Sequence, residues 1–280
     1  MPEEEKDAFL RWERPAGTFE LPKVTIEPPF SNCYACHHRR HGPPRPSHHS
    51  GLADQGRPHE IRAVVRDPQK ASTLAQQGVQ VRPGDYNDPA SLEAAFQGID
   101  TVLLISTSET QHQLRVQQHQ HAIDAAKQAG VRHVIYTSVV NPSPDSQFGA
   151  SASHLLTEDY LRASGLAYTV FRNTLYLDLV PLFVGAEALT TGHLYFAAGE
   201  GKVSYALRDD IAQALATVLT TTGHENQVYD IAPGPAYSFA DVAATLSQVS
   251  GRAVDYVPIS GRTWPLLCGS TKCPSPSWPS

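Results

Sequence analysis

The sequence predicts an α/β protein with a doubly wound, Rossmann-like parallel sheet, and residues 61–109 carry most of the signal. In this stretch two helical patterns, Pro68–Gln76 and Pro89–Phe96, alternate with three β-rich runs, which are Ile61–Val65, Val79–Val81 and Thr101–Ile105. Strands that alternate with helices of about ten residues are typical of βαβ units. The last run is continuously apolar, as expected for a strand buried on both faces. Right-handed crossovers then place the strand ends along one edge, where such sheets bind ligands.

The composition indicates a sizeable core and gives no electrostatic support for a nucleic-acid partner. The chain has 280 residues, of which 41% are hydrophobic, with four cysteines and a formal net charge of −6. The negative charge disfavours nucleic acid and anionic membranes. No apolar run approaches the roughly 20 residues of a membrane span, and the start, MPEEEKDAFLRW, lacks the features of a signal peptide. We therefore expect a cytoplasmic protein without a membrane partner, and a homo-oligomer stays open.

Residues 1–50 show neither the helical nor the strand period and are predicted to be irregular. Cys33–His37 matches the CxxCH pattern of c-type haem attachment, and His38 and His41 extend a zinc interpretation. Haem attachment requires export, which the start of the chain does not support, and zinc needs a second ligand pair at a sensible spacing. We therefore predict no metal site, and a disordered, proline-rich segment is the simpler interpretation.

The predicted sheet lacks an opening strand and a glycine-rich phosphate loop, because its first visible strand begins at Ile61. When Tyr34–His49 is back-translated and shifted by one base, its codons permit a strand followed by T-G-A-T-G-x-L-G, a turn that lets the backbone approach a pyrophosphate. Residues 261–280, shifted by two bases, permit an amphipathic helix. Our hypothesis is that both segments are frame-shifted translations, so that the first strand and loop are missing or corrupted.

Three strand ends supply candidate cofactor contacts. Arg66 follows a strand where an NAD-specific Rossmann protein places an acid for the ribose 2′-hydroxyl, and a guanidinium there favours the 2′-phosphate of NADPH. Asp85 and Tyr86 follow the next strand, near the expected adenine, and Asp85 either contacts the base or caps its own loop. Ser106–Glu109 ends the most buried strand, and its small polar side chains suit a backbone beside the nicotinamide ribose.

The pattern after this strand predicts an amphipathic helix over Leu114–Ala129, with three histidines on its exposed face: His112, His119 and His121. A buried strand, His133–Ser138, follows and ends at the ligand edge. The Tyr-x-x-x-Lys pair of classical short-chain dehydrogenases is absent, because no tyrosine has a lysine four residues later. The usual alcohol-dehydrogenase mechanism is therefore not expected.

The core from Ile61 to Ile259 resembles the NmrA-like, atypical short-chain dehydrogenase group, and within it the type-2 bacterial NAD(P)H:quinone oxidoreductases. The resemblance rests on IRAVVRDPQKA, VRPGDYND, VLLISTSE, AAKQAGVRHVIYTS, HLLTEDYLRASGLAYTVFRN and FAAGEGKVSYALRDDIA at consistent spacing. It implies a Rossmann-like domain over residues 51–260. A small, partial C-terminal substrate lobe is expected at about 174–204 and 224–260, followed by an irregular tail, 261–280.

The match to this group has two departures. His154, Thr157 and Glu158 fit its His-x-x-Thr-Glu helix, but Asp159 stands where the relatives carry lysine. After the Arg-Asn turn, Thr174-Leu175 replaces Gly-Trp, so the pocket wall differs.

The resemblance implies an NADPH-dependent enzyme that reduces quinones by direct hydride transfer, for which no single catalytic residue is assigned. The implied cofactor contacts are Arg66, Asp85, Tyr86, Ile105, Ser106, Thr107, Ser108, Thr137, Ser138 and Asn173. The implied substrate contacts are Glu109, Tyr176 and Phe183. Two alternatives remain at this point: a non-enzymatic redox sensor that binds dinucleotide, and a chain that cannot bind cofactor as printed.

Overall fold

The computed structural model describes residues 34–37, 61–146, 148–185 and 187–259. The strands in these ranges are β1 Tyr34–His37, β2 Ile61–Val65, β3 Gln80–Pro83, β4 Thr101–Leu104, β5 His133–Val139, β6 Ala167–Asn173, β7 Leu175–Tyr176, β8 His193–Phe196, β9 Lys202–Val203, β10 Tyr205–Ala206, β11 Gln227–Ile231, β12 Tyr237–Ser238 and β13 Asp255–Pro258. The helices are α1 Ser72–Gln76, α2 Pro89–Phe96, α3 His112–Gln128, α4 Ser151–Ala163, α5 Val180–Val184, α6 Ala188–Thr191, α7 Arg208–Thr220 and α8 Phe239–Ser250, with 3-10 turns at Pro68–Ala71 and Leu177–Leu179.

The main sheet confirms the predicted α/β fold class. Its seven strands lie in the order β3-β2-β1-β4-β5-β6-β11. All neighbours pair in parallel except those that involve β1. The order reverses direction at β1 and β4, as in doubly wound sheets, and this switch point is where such folds form a ligand crevice.

The sequence predicts that the opening strand is missing or corrupted, and the sheet has a short antiparallel strand in its place. Tyr34–His37 occupies the place of that strand between β2 and β4, but it runs antiparallel to both. His37, its last residue, lies opposite Ile61 and Thr101, which begin their strands. The chain therefore leaves β1 at the edge opposite the ligand edge. The proposed glycine loop and the 261–280 tail lie outside the described residues.

Helices cover both faces of the sheet. On one face α2, α3 and α4 pack Phe96, Ile123 and Leu161 against the strands, and all three side chains are fully buried. On the other face α7 packs Ile211 and Leu215 against strand residues such as Phe171. Because each fully buried large apolar side chain contributes about 1.5–3 kcal/mol, these two clusters supply most of the stabilisation of the sheet.

The predicted lobe elements form a separate apolar cluster beyond the sheet. Leu194, Phe239 and Val254 are its buried centre, and the rings of Phe196 and Phe239 stack with centroids 4.1 Å apart. A capping box at Ser238 begins α8: its hydroxyl accepts from the Asp241 amide, and the Asp241 carboxylate accepts from the Ser238 amide. The lobe thus has its own core and stands next to the carboxyl end of β6.

Most predicted boundaries differ from the observed ones by one or two residues. The pattern over Pro68–Gln76 is the exception, because it divides into a 3-10 turn and the short helix α1. Asp67 caps the 3-10 turn that precedes α1, since its carboxylate accepts from the Gln69 amide. Pro68 occupies the first position of this turn. No helix in the described ranges is both long and apolar enough to cross a membrane.

Candidate functional site

An open cleft of about 190 Å³ lies beyond the carboxyl ends of β2, β3 and β4. It is lined by Arg66, Asp85, Tyr86, Asn87, Thr107, Ser108, Glu109, Thr110 and Gln118. Six of these residues are candidate site residues from the sequence, and they come from three separate strand ends. The remaining candidates at the ends of β4 and β5 (Ile105, Ser106, Thr137, Ser138) and in or beyond β6 (Asn173, Tyr176, Phe183) lie outside this lining.

The β3 end is a braced turn. The Asp85 carboxylate accepts a hydrogen bond from the Asn87 amide at 2.9 Å, and the Asp85 amide donates to the Ser91 hydroxyl at 3.0 Å. Asp85 therefore caps its own loop, one of the two roles considered for it, while it also lines the cleft. Tyr86 is buried, and its hydroxyl donates to the Ile105 carbonyl, which ties this turn to the end of β4.

The β4 end is joined to the β5 end by one side chain. The Ser106 amide donates to the Thr137 hydroxyl at 2.9 Å. Thr107 is buried and Ser108 is exposed, so the chain rises from the core to the cleft within two residues. The Glu109 carboxylate accepts from the amides of Thr110 and Gln111 and thereby holds the turn just before α3.

The prediction that the α3 histidines are exposed is wrong for His119. His112 is exposed and His121 is half-buried, with its Nδ1 bonded to the Tyr86 carbonyl at 2.8 Å, but His119 has no exposed surface. Burial, with Arg115 nearby, holds the pKa of His119 well below its ordinary value. Sequence reasoning also missed Arg115, although both residues fall on the helical face of Ala122 and Ala126. The helical spacing of Arg115 and His119 relative to these alanines was the signal that could have predicted their burial.

His154 belongs to the same buried polar network, which crosses from α3 to α4. Arg115 Nη2 donates to His154 Nε2 at 3.2 Å, and His154 Nδ1 lies 2.8 Å from the Tyr136 hydroxyl. Burial, reinforced by the Arg115 charge, lowers the pKa of His154 to about 3. Burial also raises the pKa of Tyr136. Both side chains are therefore neutral across the ordinary pH range.

Glu158 joins the ends of β5 and β6. Its buried carboxylate accepts from the Ser138 hydroxyl at 2.6 Å, from Arg172 at 3.1 and 2.8 Å, and from Arg162 at 2.6 Å. Burial opposes its ionisation, but hydrogen bonds from Arg172, Ser138 and Arg162 outweigh burial, so the pKa of Glu158 lies below its ordinary value. The Ser138 hydroxyl therefore uses its proton in the hydrogen bond to Glu158.

The candidates at the end of β6 divide between the crevice and the lobe. Asn173 is buried, its Nδ2 approaches the Tyr176 hydroxyl at 3.5 Å, and its Oδ1 has no hydrogen-bond partner among the described residues. Burial raises the pKa of Tyr176. Phe183 lies in the lobe cluster, with its ring centroid 5.7 Å from that of Phe196.

The sheet order and the polar cleft at its switch point define a doubly wound, Rossmann-type α/β protein. The profile of the NmrA-like family matches residues 51–268, and the chain belongs to this family. Quinone oxidoreductase 2 of Escherichia coli (strain K12) is 42% identical over 201 residues, which cover 72% of this chain and 69% of that protein. NAD(P)H azoreductase of Xenophilus azovorans is 36% identical over 201 residues, or 71% and 68% of the two chains.

The structures similar to this one include two that were solved with a bound nicotinamide cofactor. The NADPH-dependent quinone oxidoreductase of Escherichia coli, complexed with NADPH, has a TM-score of 0.70 at 39% identity and covers 76% of this chain and 74% of its own. Triphenylmethane reductase of Citrobacter sp., complexed with NADP(H), has a TM-score of 0.71 at 37% identity, covering 79% and 77%.

Proposed function

We propose that this protein is an NADPH-dependent oxidoreductase that reduces quinones by direct hydride transfer. The observation that carries the proposal is the cleft, where Arg66, the Asp85 turn and the Thr107–Glu109 segment meet at the switch point. The similarity to a quinone oxidoreductase and an azoreductase supports the reaction class, and the NADPH and NADP(H) complexes among the similar structures support the cofactor.

The residues present fit NADPH at both ends of the crevice. Arg66 offers a guanidinium for the 2′-phosphate, where an acid would serve NADH. The unpartnered, buried Oδ1 of Asn173 is an acceptor suited to an amide N–H, such as that of the nicotinamide carboxamide. When bound, NADPH supplies the hydride. Ser138 cannot give up its proton readily, because Glu158 holds it, so the reduced quinone oxygens take protons from water or from neighbouring donors.

Tyr176 and Glu109 are the proposed substrate contacts. Tyr176 receives a weak hydrogen bond from Asn173, so its own O–H can donate to a quinone oxygen. Phe183 stays a prediction, and its packing against the lobe cluster favours an indirect effect on the pocket wall. A cytoplasmic location and the lack of a nucleic-acid partner also stay predictions, the latter supported by the net charge of −6.

One observation favours the alternative in which the chain does not bind cofactor. β1 runs antiparallel to β2 and β4, so its last residue, His37, lies at the edge opposite the ligand edge. The deciding experiment measures NADPH oxidation with a small benzoquinone, and NADPH-dependent thermal stabilisation, on the purified full chain. Turnover supports the enzyme. Stabilisation without turnover supports a dinucleotide sensor, and the absence of both supports the non-binding alternative.

A further inference from the structure

The segment between β4 and α3 is held by hydrogen bonds on both sides of Ser108. The Thr107 amide donates to His119 Nε2 at 3.0 Å, and the Glu109 amide donates to the Thr107 hydroxyl at 3.2 Å. Arg115 Nη1 donates to the carbonyls of both Thr107 and Glu109, the latter at 3.1 Å. A segment with this many anchors has a defined conformation before any ligand arrives.

Arg115 is unusual because its charge is buried without an acidic partner. Its side chain is 8% exposed, and among the described residues no carboxylate forms an ion pair with it. Its hydrogen bonds go to the two loop carbonyls and to His154. A buried charge without an acidic partner destabilises a fold. The contacts that Arg115 does make are to the two loop carbonyls, so we assign it the role of holding the loop.

The directions of these hydrogen bonds are fixed by the donors. Because the Thr107 amide donates to His119 Nε2, the ring proton sits on Nδ1, where it is donated to the Thr157 hydroxyl at 2.9 Å. Arg115 likewise donates to His154 Nε2, so the His154 proton lies on Nδ1, toward Tyr136. Both imidazoles serve as neutral acceptors behind the loop.

Ser108 is the middle residue of the Thr107–Glu109 loop. Its amide, hydroxyl and carbonyl form no hydrogen bond with any described residue. It is exposed and lines the cleft, while the residues on either side of it are tied down from behind. Its N–H and O–H are therefore two donors that no described residue uses, at a position that lines the cleft. Because the flanking residues are held by hydrogen bonds, the backbone position of Ser108 is set before a ligand binds, which lowers the ordering cost of binding.

We propose that Arg115 and His119 are positioning residues, which hold the Thr107–Glu109 loop so that Ser108 donates its N–H and hydroxyl to an oxygen of the bound dinucleotide. This inference rests on the proposed function for the identity of the ligand. The positioning itself is a property of the free protein.

The test combines a double-mutant cycle for NADPH binding with hydrogen exchange of the free protein. Ser108→Ala removes one donor, and we expect the Kd for NADPH to rise about three- to tenfold, the cost of one hydrogen bond. Arg115→Met should raise it about tenfold or more and accelerate exchange of the loop amides in the absence of ligand. In the Arg115→Met background, Ser108→Ala should add little, because its donors are no longer aimed at the ligand.

Two further variants separate positioning from general destabilisation. Arg115→Lys keeps the charge and should restore binding in part, whereas Arg132→Met removes an exposed arginine that pairs with Asp100 and should change neither readout. The inference is overturned if Ser108→Ala and Arg115→Met have additive effects on the Kd for NADPH, or if Arg115→Met leaves the hydrogen exchange of the loop unchanged. Neither result affects the proposed function, which quinone turnover by the wild type tests. Binding without turnover, together with a non-additive cycle, refutes the enzyme and keeps the inference. No binding at all refutes both.

Discussion

The buried histidines predict that acid destabilises this protein well before its carboxylates titrate. The folded-state pKa of His154 is about 3, and that of His119 also lies well below 6.5. Below pH 6.5 these two histidines therefore bind protons in the unfolded chain but stay neutral in the folded chain. The stability these groups contribute is complete above the unfolded pKa and is lost as the pH falls beneath it.

The size of the effect follows from linkage. Each histidine that stays neutral in the fold costs about 1.4 kcal/mol for every pH unit below 6.5. Between pH 6.5 and pH 5 His154 alone lowers the free energy of unfolding by about 2 kcal/mol, and the lowered pKa of His119 acts in the same direction. The pKa of Glu158 is lowered in the fold, so its effect on stability changes only below its unfolded pKa near 4.5. It therefore does not add to the pH dependence between pH 6.5 and pH 5.

Urea unfolding at a series of pH values measures this slope. In His154→Gln the dependence should weaken by about 1.4 kcal/mol per pH unit, while the exposed His112→Gln should keep the wild-type slope. An unchanged slope in His154→Gln, or a wild-type stability that is flat between pH 6.5 and pH 5, refutes the claim that His154 is a buried neutral acceptor.

Three further predictions concern the site and its supports. Arg66→Glu should weaken NADPH binding by about ten- to a hundredfold and shift the preference toward NADH; Arg82→Glu, an exposed arginine on β3, should not, and equal NADPH affinity in both variants contradicts the 2′-phosphate contact. Glu158→Gln should lower the free energy of unfolding by about 3 kcal/mol because it removes the buried carboxylate that pairs with the half-buried Arg162 and Arg172, whereas the exposed Asp159→Asn should cost less than about 1 kcal/mol in the same urea titration. Phe183→Ala should lower the free energy of unfolding by about 1–3 kcal/mol, because the ring is only partly buried against the lobe cluster; a raised KM with unchanged stability instead places Phe183 at the substrate.

The sheet could be predicted because its strands carry strong local signals, whereas β1 could not. Thr101–Leu104 is apolar at nearly every position, and such a run has few alternatives to a buried parallel strand. Tyr34–His37 is four residues long, and a short strand pattern is the same in both directions. Only its pairing with β2 and β4 fixes its orientation, and that information is absent from the segment itself.

The site shows the same division between local and long-range information. Arg66, Asp85 and Ser108 could be located because each follows a strand directly, and strand ends meet at one edge. His119 and Arg115 were missed because polar residues on a helix are usually exposed. Their burial depends on the loop carbonyls and the α4 side chains that they reach, which are distant in sequence.

The organisation of the ligand edge also explains which part of the crevice depends on β1. The Thr107–Glu109 loop is held from α3, and the ends of β5 and β6 are held by Glu158 of α4. None of these contacts involves β1. The half of the crevice proposed for the nicotinamide is therefore held by side chains of α3 and α4, whereas the pyrophosphate in a Rossmann fold relies on the loop that follows the opening strand. Loss of that loop should weaken dinucleotide affinity without disturbing the geometry in which hydride would be transferred.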